Sequence, residues 1–188
     1  SSWTATTTLN TARGYVGHAG TSTASIVFGG RVPGPASTNA SESFNGSSWT
    51  ATPNLNTPAW GRYGGGTSTA ALSVGGTPPA TGATEEYDGS SWTTVNANPL
   101  SRGFRGQAGT QTDCIVFGAD SPAITTTQGY DGTNWSSKPA LGTARANTGG
   151  TGTASAALAF GSSPNSGVTE EFTASTNVIT AGAWASGA

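Results

Sequence analysis

The chain has 188 residues, enough for one domain with a buried core, and only 9% of them are charged. Its formal net charge is −2 and it has no basic block, which argues against a nucleic-acid partner. No apolar run reaches the roughly 20 residues of a membrane span, and no window has the 3.6-residue spacing of a long amphipathic helix. The 29 glycines, with abundant Thr, Ser and Val, favour short strands separated by turns.

Residue counts also bear on processing and on redox chemistry. There is no Met and no signal peptide, so we expect the chain to have been trimmed, processed or excised from a longer product. The lone Cys114 leaves no internal disulfide and no thiolate metal cluster. It lies in the apolar run 114–117, where a small buried core residue is expected.

Tryptophans recur along the chain at a nearly constant interval. Trp3, Trp49, Trp92 and Trp135 are separated by 46, 43 and 43 residues, and Val178 stands where a fifth would fall. This self-similarity predicts one domain over residues 1–188 built from repeated units. The units are approximately 3–48, 49–91, 92–134 and 135–177, followed by an extension over 178–188.

Each unit is predicted to hold four short strands, which we call a, b, c and d. In the first unit they cover 13–20, 24–29, 41–44 and 47–52. A polar turn joins a to b, and a longer loop rich in Pro and Gly joins b to c. Strands c and d are joined by Asn45-Gly46 or, in the next unit, by Asp88-Gly89. This dipeptide favours a tight hairpin turn in which both residues take positive φ.

Four-stranded units of this length are typical of propeller blades. The doublets Gly29-Gly30 and Gly75-Gly76 ending strand b, the aromatic residue on c and the Trp on d resemble the kelch repeat. The resemblance covers nearly the whole chain. It implies an all-β, kelch-type β-propeller of four repeats of four antiparallel strands, either a four-bladed ring or part of a larger ring formed by dimerisation. Strings such as Thr84–Thr93 also resemble kelch-like arrays in structural and tail-fibre proteins of marine bacteriophages.

Ring closure has two candidates in the sequence. A propeller can close by completing its last blade with a strand from the opposite terminus, which removes the open sheet edge. Trp3 could supply strand d beside strand c at 168–172. The segment 176–180 also resembles a strand, and it either takes that place or extends outward to a partner.

Catalysis has little support in the sequence. The copper radical oxidase of the kelch type needs two His, two Tyr and a Cys, whereas this chain has one His and one Cys. The turn at Asp88 is one residue short of the sialidase Asp-box. His18 has no second ligand at metal spacing and no catalytic triad to join. We therefore expect no enzyme, no metal and no cofactor.

Residues repeated in most units are expected to be structural. Arg13, Arg102 and Arg145 share one repeat position, while Glu42, Glu85 and Glu170 share another, which holds Gln128 in the third repeat. Pairing of the Arg on strand a with a carboxylate is expected, although the second and third repeats break the match. The repeated Trp49, Trp92 and Trp135 are expected to pack the blades.

Residues that vary between repeats are the candidate ligand-binding set. They are Tyr15, His18, Trp60, Arg62, Tyr63, Phe104 and Arg105. Because strand a lines the channel of a propeller, these side chains could gather at one mouth and bind sugar rings, hydroxyls or carboxylates. The alternative is that they only fill the channel of a small ring.

The sequence favours a non-enzymatic binding or structural propeller module of a phage virion, in a tail fibre, spike or decoration. Its expected partners are cell-surface glycans or other virion proteins, with no nucleic acid, no membrane insertion and a possible homo-oligomer. A virion surface or extracellular location follows from the resemblance. The alternatives are a purely structural assembly or capsid-decoration protein, and a fragment of a secreted carbohydrate-active enzyme.

Overall fold

The computed structural model describes residues 1–103, 105–120, 122–163 and 166–174. It is all-β, with fifteen strands in four antiparallel sheets arranged as the blades of a four-bladed β-propeller. Within these residues there is no helix able to cross a bilayer. The predicted fold class is therefore confirmed.

The strands of each blade follow one another in sequence, from the channel outward. Blade 1 (residues 17–52) comprises β1 (Gly17–Gly20), β2 (Ser25–Phe28), β3 (Ser41–Phe44) and β4 (Trp49–Thr52). Blade 2 (63–95) comprises β5 (Tyr63–Gly66), β6 (Ala71–Val74), β7 (Thr84–Tyr87) and β8 (Trp92–Val95). Blade 3 (106–138) comprises β9 (Gly106–Gly109), β10 (Cys114–Phe117), β11 (Thr127–Tyr130) and β12 (Trp135–Lys138). Blade 4 (149–173) comprises β13 (Gly149–Gly152), β14 (Ala156–Phe160) and β15 (Thr169–Thr173).

The innermost strand of blade 1 is shorter than the sequence predicts. Strand a was expected over 13–20, but β1 begins at Gly17, and the preceding segment makes only an isolated bridge between Gly14 and Arg31. The other three predicted strands of the first unit match β2, β3 and β4 to within two residues.

The predicted two-residue turn between strands c and d is wrong. Phe44 pairs with Trp49, so four residues form the loop, and of its first two only Gly46 has positive φ. The side chain of Asn45 accepts hydrogen bonds from the amides of Ser47 and Ser48, at 3.0 and 2.9 Å. The loop is therefore an Asx turn, in which a side-chain oxygen replaces a backbone acceptor.

Each hydrophobic core lies between two successive blades. Ile26 and Phe28 of β2 pack against Tyr87 and Trp92 of blade 2, and the Phe28 and Trp92 ring centroids are 4.9 Å apart. The equivalent residues of blade 2 pack against blade 3, and those of blade 3 pack against blade 4. Since each blade has only a thin sheet, stacking on a neighbour is what buries its apolar face. Cys114 is buried in the second of these cores, as predicted.

An equivalent backbone hydrogen bond occurs at each of the three junctions between successive blades, 1–2, 2–3 and 3–4. The residue after the glycine that ends strand b donates to a carbonyl just before strand a of the next blade. The bonds are Gly30 to Ala59 at 3.0 Å, Gly76 to Arg102 at 3.2 Å and Ala119 to Arg145 at 2.9 Å. Between blades 4 and 1 the corresponding bond, from Ser162 to Arg13, is not formed within the described residues.

Trp3 does not complete blade 4. It is fully exposed and lies outside any strand, and β15 pairs only with β14 in the part of the chain that the structure describes. Of the two candidates for closing the ring, Trp3 therefore does not pair with β15 in this structure. The competing segment 176–180, including Val178, lies outside the described residues.

Candidate functional site

One mouth of the channel gathers residues from all four blades. Strand a begins, and strand b ends, at the same face of the ring, so the d–a and b–c connections share that face. The residues immediately before the four inner strands are Val16, Arg62, Arg105 and Thr148. They border a cavity of about 350 Å³, which is at the small end of the range for ligand pockets.

Further into the channel, the inner strands contribute His18, Tyr63 and Gln107. At the position of His18 and Gln107 the other two blades carry Gly64 and Gly150, where a Cβ would collide with the backbone of the neighbouring blade. Side chains at this position therefore alternate with glycines around the ring, and the glycines let neighbouring inner strands approach closely.

Arg62 supplies the positive charge that pairs with the buried Glu85. In blade 2 the recurring Arg position holds Ala59, yet Glu85 of the same blade is buried. Arg62 reaches Glu85 from three positions further along, with 3.5 Å between Nη2 and Oε1, and donates to Ser73 at 2.9 Å. Arg62 was predicted as a ligand residue, but its guanidinium is held within the protein.

Arg105 is a buried cation without a carboxylate. It is 1% exposed, and its guanidinium donates to the Asn98 Oδ1 at 3.2 Å and to the Leu100 carbonyl at 2.9 Å. No salt bridge among the described residues includes it. Burial lowers its pKa to about 10; Tyr63 opposes this effect and Arg102 adds to it. An anion arriving at this mouth would meet a guanidinium that forms no ion pair with a described carboxylate, in a site of low dielectric.

Neutral groups beside Arg105 also have unused hydrogen-bonding capacity. The Tyr63 hydroxyl, both polar atoms of the Gln107 side chain and the Thr148 hydroxyl are buried and make no hydrogen bond with the described residues. Burial raises the pKa of Tyr63, so its hydroxyl remains a donor. Buried polar atoms are usually satisfied by protein groups or ordered water, so these atoms can hydrogen-bond with polar groups that enter the cavity.

An aromatic platform lies on the same face, at the junction of blades 1 and 2. Tyr15 and Trp60 have ring centroids 5.3 Å apart, and the Arg31 guanidinium carbon lies 5.7 Å from the Trp60 ring centroid. We call these three residues the platform. Tyr15 is 59% exposed and therefore presents its ring to solvent.

The backbone at Tyr15 is in the left-handed region, with φ of +54°. The equivalent residues Gly61 and Asn147 also have positive φ, at 62° and 51°. Glycine and asparagine tolerate this conformation, whereas a tyrosine is disfavoured there. Tyr15 is thus held in an unfavourable conformation that turns its ring outward.

The predicted site residues fall into two groups. His18, Arg62, Tyr63 and Arg105 meet at the channel, whereas Tyr15 and Trp60 form the platform with Arg31. Phe104 lies outside the described residues. Sequence reasoning missed Gln107, Thr148 and Arg31. Aligning the four inner strands residue by residue would have placed Gln107 with His18 and Thr148 with Arg62.

The repeated residues have structural partners, as predicted. Arg13 contacts Glu42 at 2.9 Å and Arg145 contacts Glu170 at 2.7 Å, each within one blade. Both glutamates also accept hydrogen bonds from two amides of the linker that enters the blade. Trp92 is buried, and Trp49 and Trp135 are half-buried beside the aromatic residue across the hairpin.

No model of a protein family matches the chain, and a search of the curated proteins finds no match.

Proposed function

We propose that this chain is a non-enzymatic, kelch-like propeller of a phage virion that adheres to host surface glycans through the platform and the adjoining channel mouth. The ligand class is a glycan that contains an acidic sugar. The proposal assigns sugar stacking to the platform and carboxylate binding to Arg105.

The main support for this proposal is the positive φ of Tyr15. A tyrosine held at positive φ costs of the order of 1–3 kcal/mol, a cost that typically marks functional positions. Blades 2 and 4 share the positive φ at this position, and blade 1 places there an exposed ring next to Trp60, with Arg31 on the Trp60 face. Aromatic faces flanked by a guanidinium suit the apolar faces and hydroxyl groups of a sugar.

Arg105 supports the choice of an acidic ligand. A buried guanidinium with only neutral acceptors loses hydration without gaining an ion pair. A carboxylate at the channel mouth would supply the missing charge, and Tyr63, Gln107 and Thr148 could hydrogen-bond its neighbouring hydroxyls.

The kelch-like and virion parts of the proposal rest on sequence marks. The strand b glycine doublet, the aromatic residue of strand c and the Trp of strand d resemble kelch repeats, and the string 84–93 resembles phage fibre arrays. A stiff head with few charges, present in many copies on a particle, would gain adhesion through multivalency.

The test is binding to immobilised bacterial polysaccharides, comparing uronic-acid-containing glycans with their carboxyl-reduced forms. We expect binding to the acidic form only, and we expect Tyr15→Ala to weaken it about tenfold, or about 1.4 kcal/mol. Arg105→Gln should abolish the preference for the acidic form. Val168→Ala, at an exposed apolar residue outside the site, is the matched control.

If the protein binds none of the glycans but binds virion proteins tightly, a purely structural role replaces this proposal. Hydrolysis of the glycan, abolished by changing an acidic residue, would instead indicate a carbohydrate-active enzyme.

A further inference from the structure

The outer edge of blade 4 and the first residues of the chain are complementary. Blades 1 to 3 have four strands each, whereas blade 4 has three in the described part of the chain, which leaves the outer edge of β15 without a described partner. Open strand edges are templates for pairing with another strand.

The segment 1–6 carries the sequence of a fourth strand. Its residues, Ser-Ser-Trp-Thr-Ala-Thr, are identical to residues 47–52, which contain β4. In β4 this sequence pairs with β3, and the Trp49 ring lies 5.0 Å from the Phe44 ring. At the chain start the same sequence forms no strand and Trp3 is fully exposed.

Strand β15 offers the register that this segment needs. Phe172 pairs with Ala157 just as Phe44 pairs with Ser25 in blade 1. By this equivalence Trp3 would lie opposite Phe172, and Thr4 would lie opposite Glu171.

No apolar cluster of the described residues covers the sheet face of blade 4 that should meet a following blade, although Phe160 borders the channel cavity together with Val16 of the same chain. Phe160 is 41% exposed, whereas its equivalents Phe28, Val74 and Phe117 are 0–2% exposed. A Cβ at Gly161 would meet no atom within 4 Å, although the same position in the other three blades contacts the next blade's backbone. The surface therefore continues the blade–blade interface already formed three times in the chain.

The matching surface is on blade 1. Val27 and Ser25 of β2 are half-buried, whereas the equivalent residues of blades 2 and 3 are fully buried against the preceding blade. The N-terminal segment belongs with this surface, because Thr7 donates to the Ser47 carbonyl and Asn10 donates to Glu42. In this structure residues 1–6 do not pair with β15 of their own chain.

We propose that a second copy of this chain docks head to tail on blade 4. Its residues 1–6 add to β15 as the fourth strand, and its blade 1 covers Leu158 and Phe160. Each copy has one donor end and one acceptor end, so the contact propagates into a ring or a filament.

The first experiment measures the mass in solution across a wide range of protein concentration. We expect association that rises with concentration and is lost in Phe160→Glu and in Trp3→Ala. Val168→Glu places the same charge at an exposed apolar residue of blade 4 outside this face and should associate normally. A monomer at every concentration, or association unaffected by both interface variants, overturns the proposal.

The second experiment distinguishes exchange between copies from closure within one copy. Thr4→Cys and Glu171→Cys are made in separate chains and mixed under oxidising conditions; the native Cys114 is buried. Directly opposed residues of paired strands have Cβ atoms about 5 Å apart, so a disulfide-linked heterodimer is expected. If the double variant in one chain forms only an internal disulfide and stays monomeric, the ring closes on itself and the proposal fails.

Discussion

Blade 2 departs from the other blades at one cross-strand pair between its first two strands. In blades 1, 3 and 4 the inner strand begins with glycine, and the Phe ring opposite it lies where a Cβ would be. In blade 2 the pair is Tyr63 and Val74, with the large residue on the inner strand. The exchange moves the aromatic ring to the inner strand, leaves a smaller apolar side chain opposite it and places a phenol in the channel.

This exchange predicts strong coupling between the two positions. Tyr63→Gly should cost about 3 kcal/mol by leaving a cavity, and Val74→Phe about 1–3 kcal/mol by overpacking. The double variant restores the Gly–Phe pair of the other blades and should recover most of the loss. Urea unfolding of the four proteins measures the coupling, and additive costs would contradict the packing argument.

The Arg62–Glu85 contact gives a second prediction for single residues. Both side chains have 0% exposure, so Arg62→Ala leaves a buried carboxylate without its cation and should destabilise the fold by about 3 kcal/mol. Adding Ala59→Arg restores the arginine position of blades 1 and 4 and should recover part of the loss. Thermal unfolding is the readout, and an unchanged melting temperature in Arg62→Ala would show that the contact contributes nothing.

At the scale of elements, the c–d loops show how one side chain shapes a turn. Asp88 accepts hydrogen bonds from the amides of Ser90 and Ser91, both at 2.7 Å. Asn45 does the same in blade 1 without a charge. The amide oxygen alone therefore suffices for the turn.

This equivalence separates the roles of shape and charge at Asp88. Asp88→Asn should preserve stability at neutral pH, whereas Asp88→Ala should lower it. The hydrogen bonds, first that of the Ser90 hydroxyl and then the two amides, lower the Asp88 pKa from 3.8 to about 2. A depressed folded-state pKa gives stability that is present above pH 3.8 and lost as the pH falls towards 2. The wild type should lose this increment on acidification and Asp88→Asn should not; identical acid unfolding curves would count against the assignment.

The sequence predicts these elements well because every unit carries the same pattern. Four Trp positions and four apolar strand b segments indicate the number of units and the order of the strands within each unit. The turn type was missed because Asp-Gly also suits a four-residue Asx loop, and only the pairing of Phe44 with Trp49 distinguishes the two.

The site was only partly predictable for a physical reason. Variation between repeats indicated His18 and Arg105 as candidates, and the structure places both at the channel. It could not reveal that Arg62 forms an ion pair with Glu85, because in blades 1 and 4 the arginine that pairs with the equivalent glutamate lies three positions earlier in the repeat. Gln107 and Thr148 are candidates only because their side-chain polar atoms are buried at the channel, and burial of these atoms cannot be inferred from the sequence.

At the scale of the whole molecule, stability is distributed over junctions rather than concentrated in one core. Each apolar cluster spans two neighbouring blades, so a blade is stabilised by the neighbours that it touches. Such an array behaves approximately as a sum of nearest-neighbour terms. Blade 2 has a neighbour on both faces, whereas blade 4 is covered on one.

The array therefore predicts a gradient of local stability along the chain. The residues of β6 are fully buried, whereas β14 alternates between buried and exposed residues, so fewer contacts must break to open blade 4. Local opening is cheapest where contacts are fewest, so amides of β14 should exchange with deuterium faster than those of β6 in dilute protein. Raising the concentration should slow exchange in β14 and leave β6 unchanged if copies dock on blade 4, because docking stabilises only the covered face. Peptide-level exchange mass spectrometry provides the measurement. Equal protection of both strands in dilute protein would mean that the fourth junction is closed in solution.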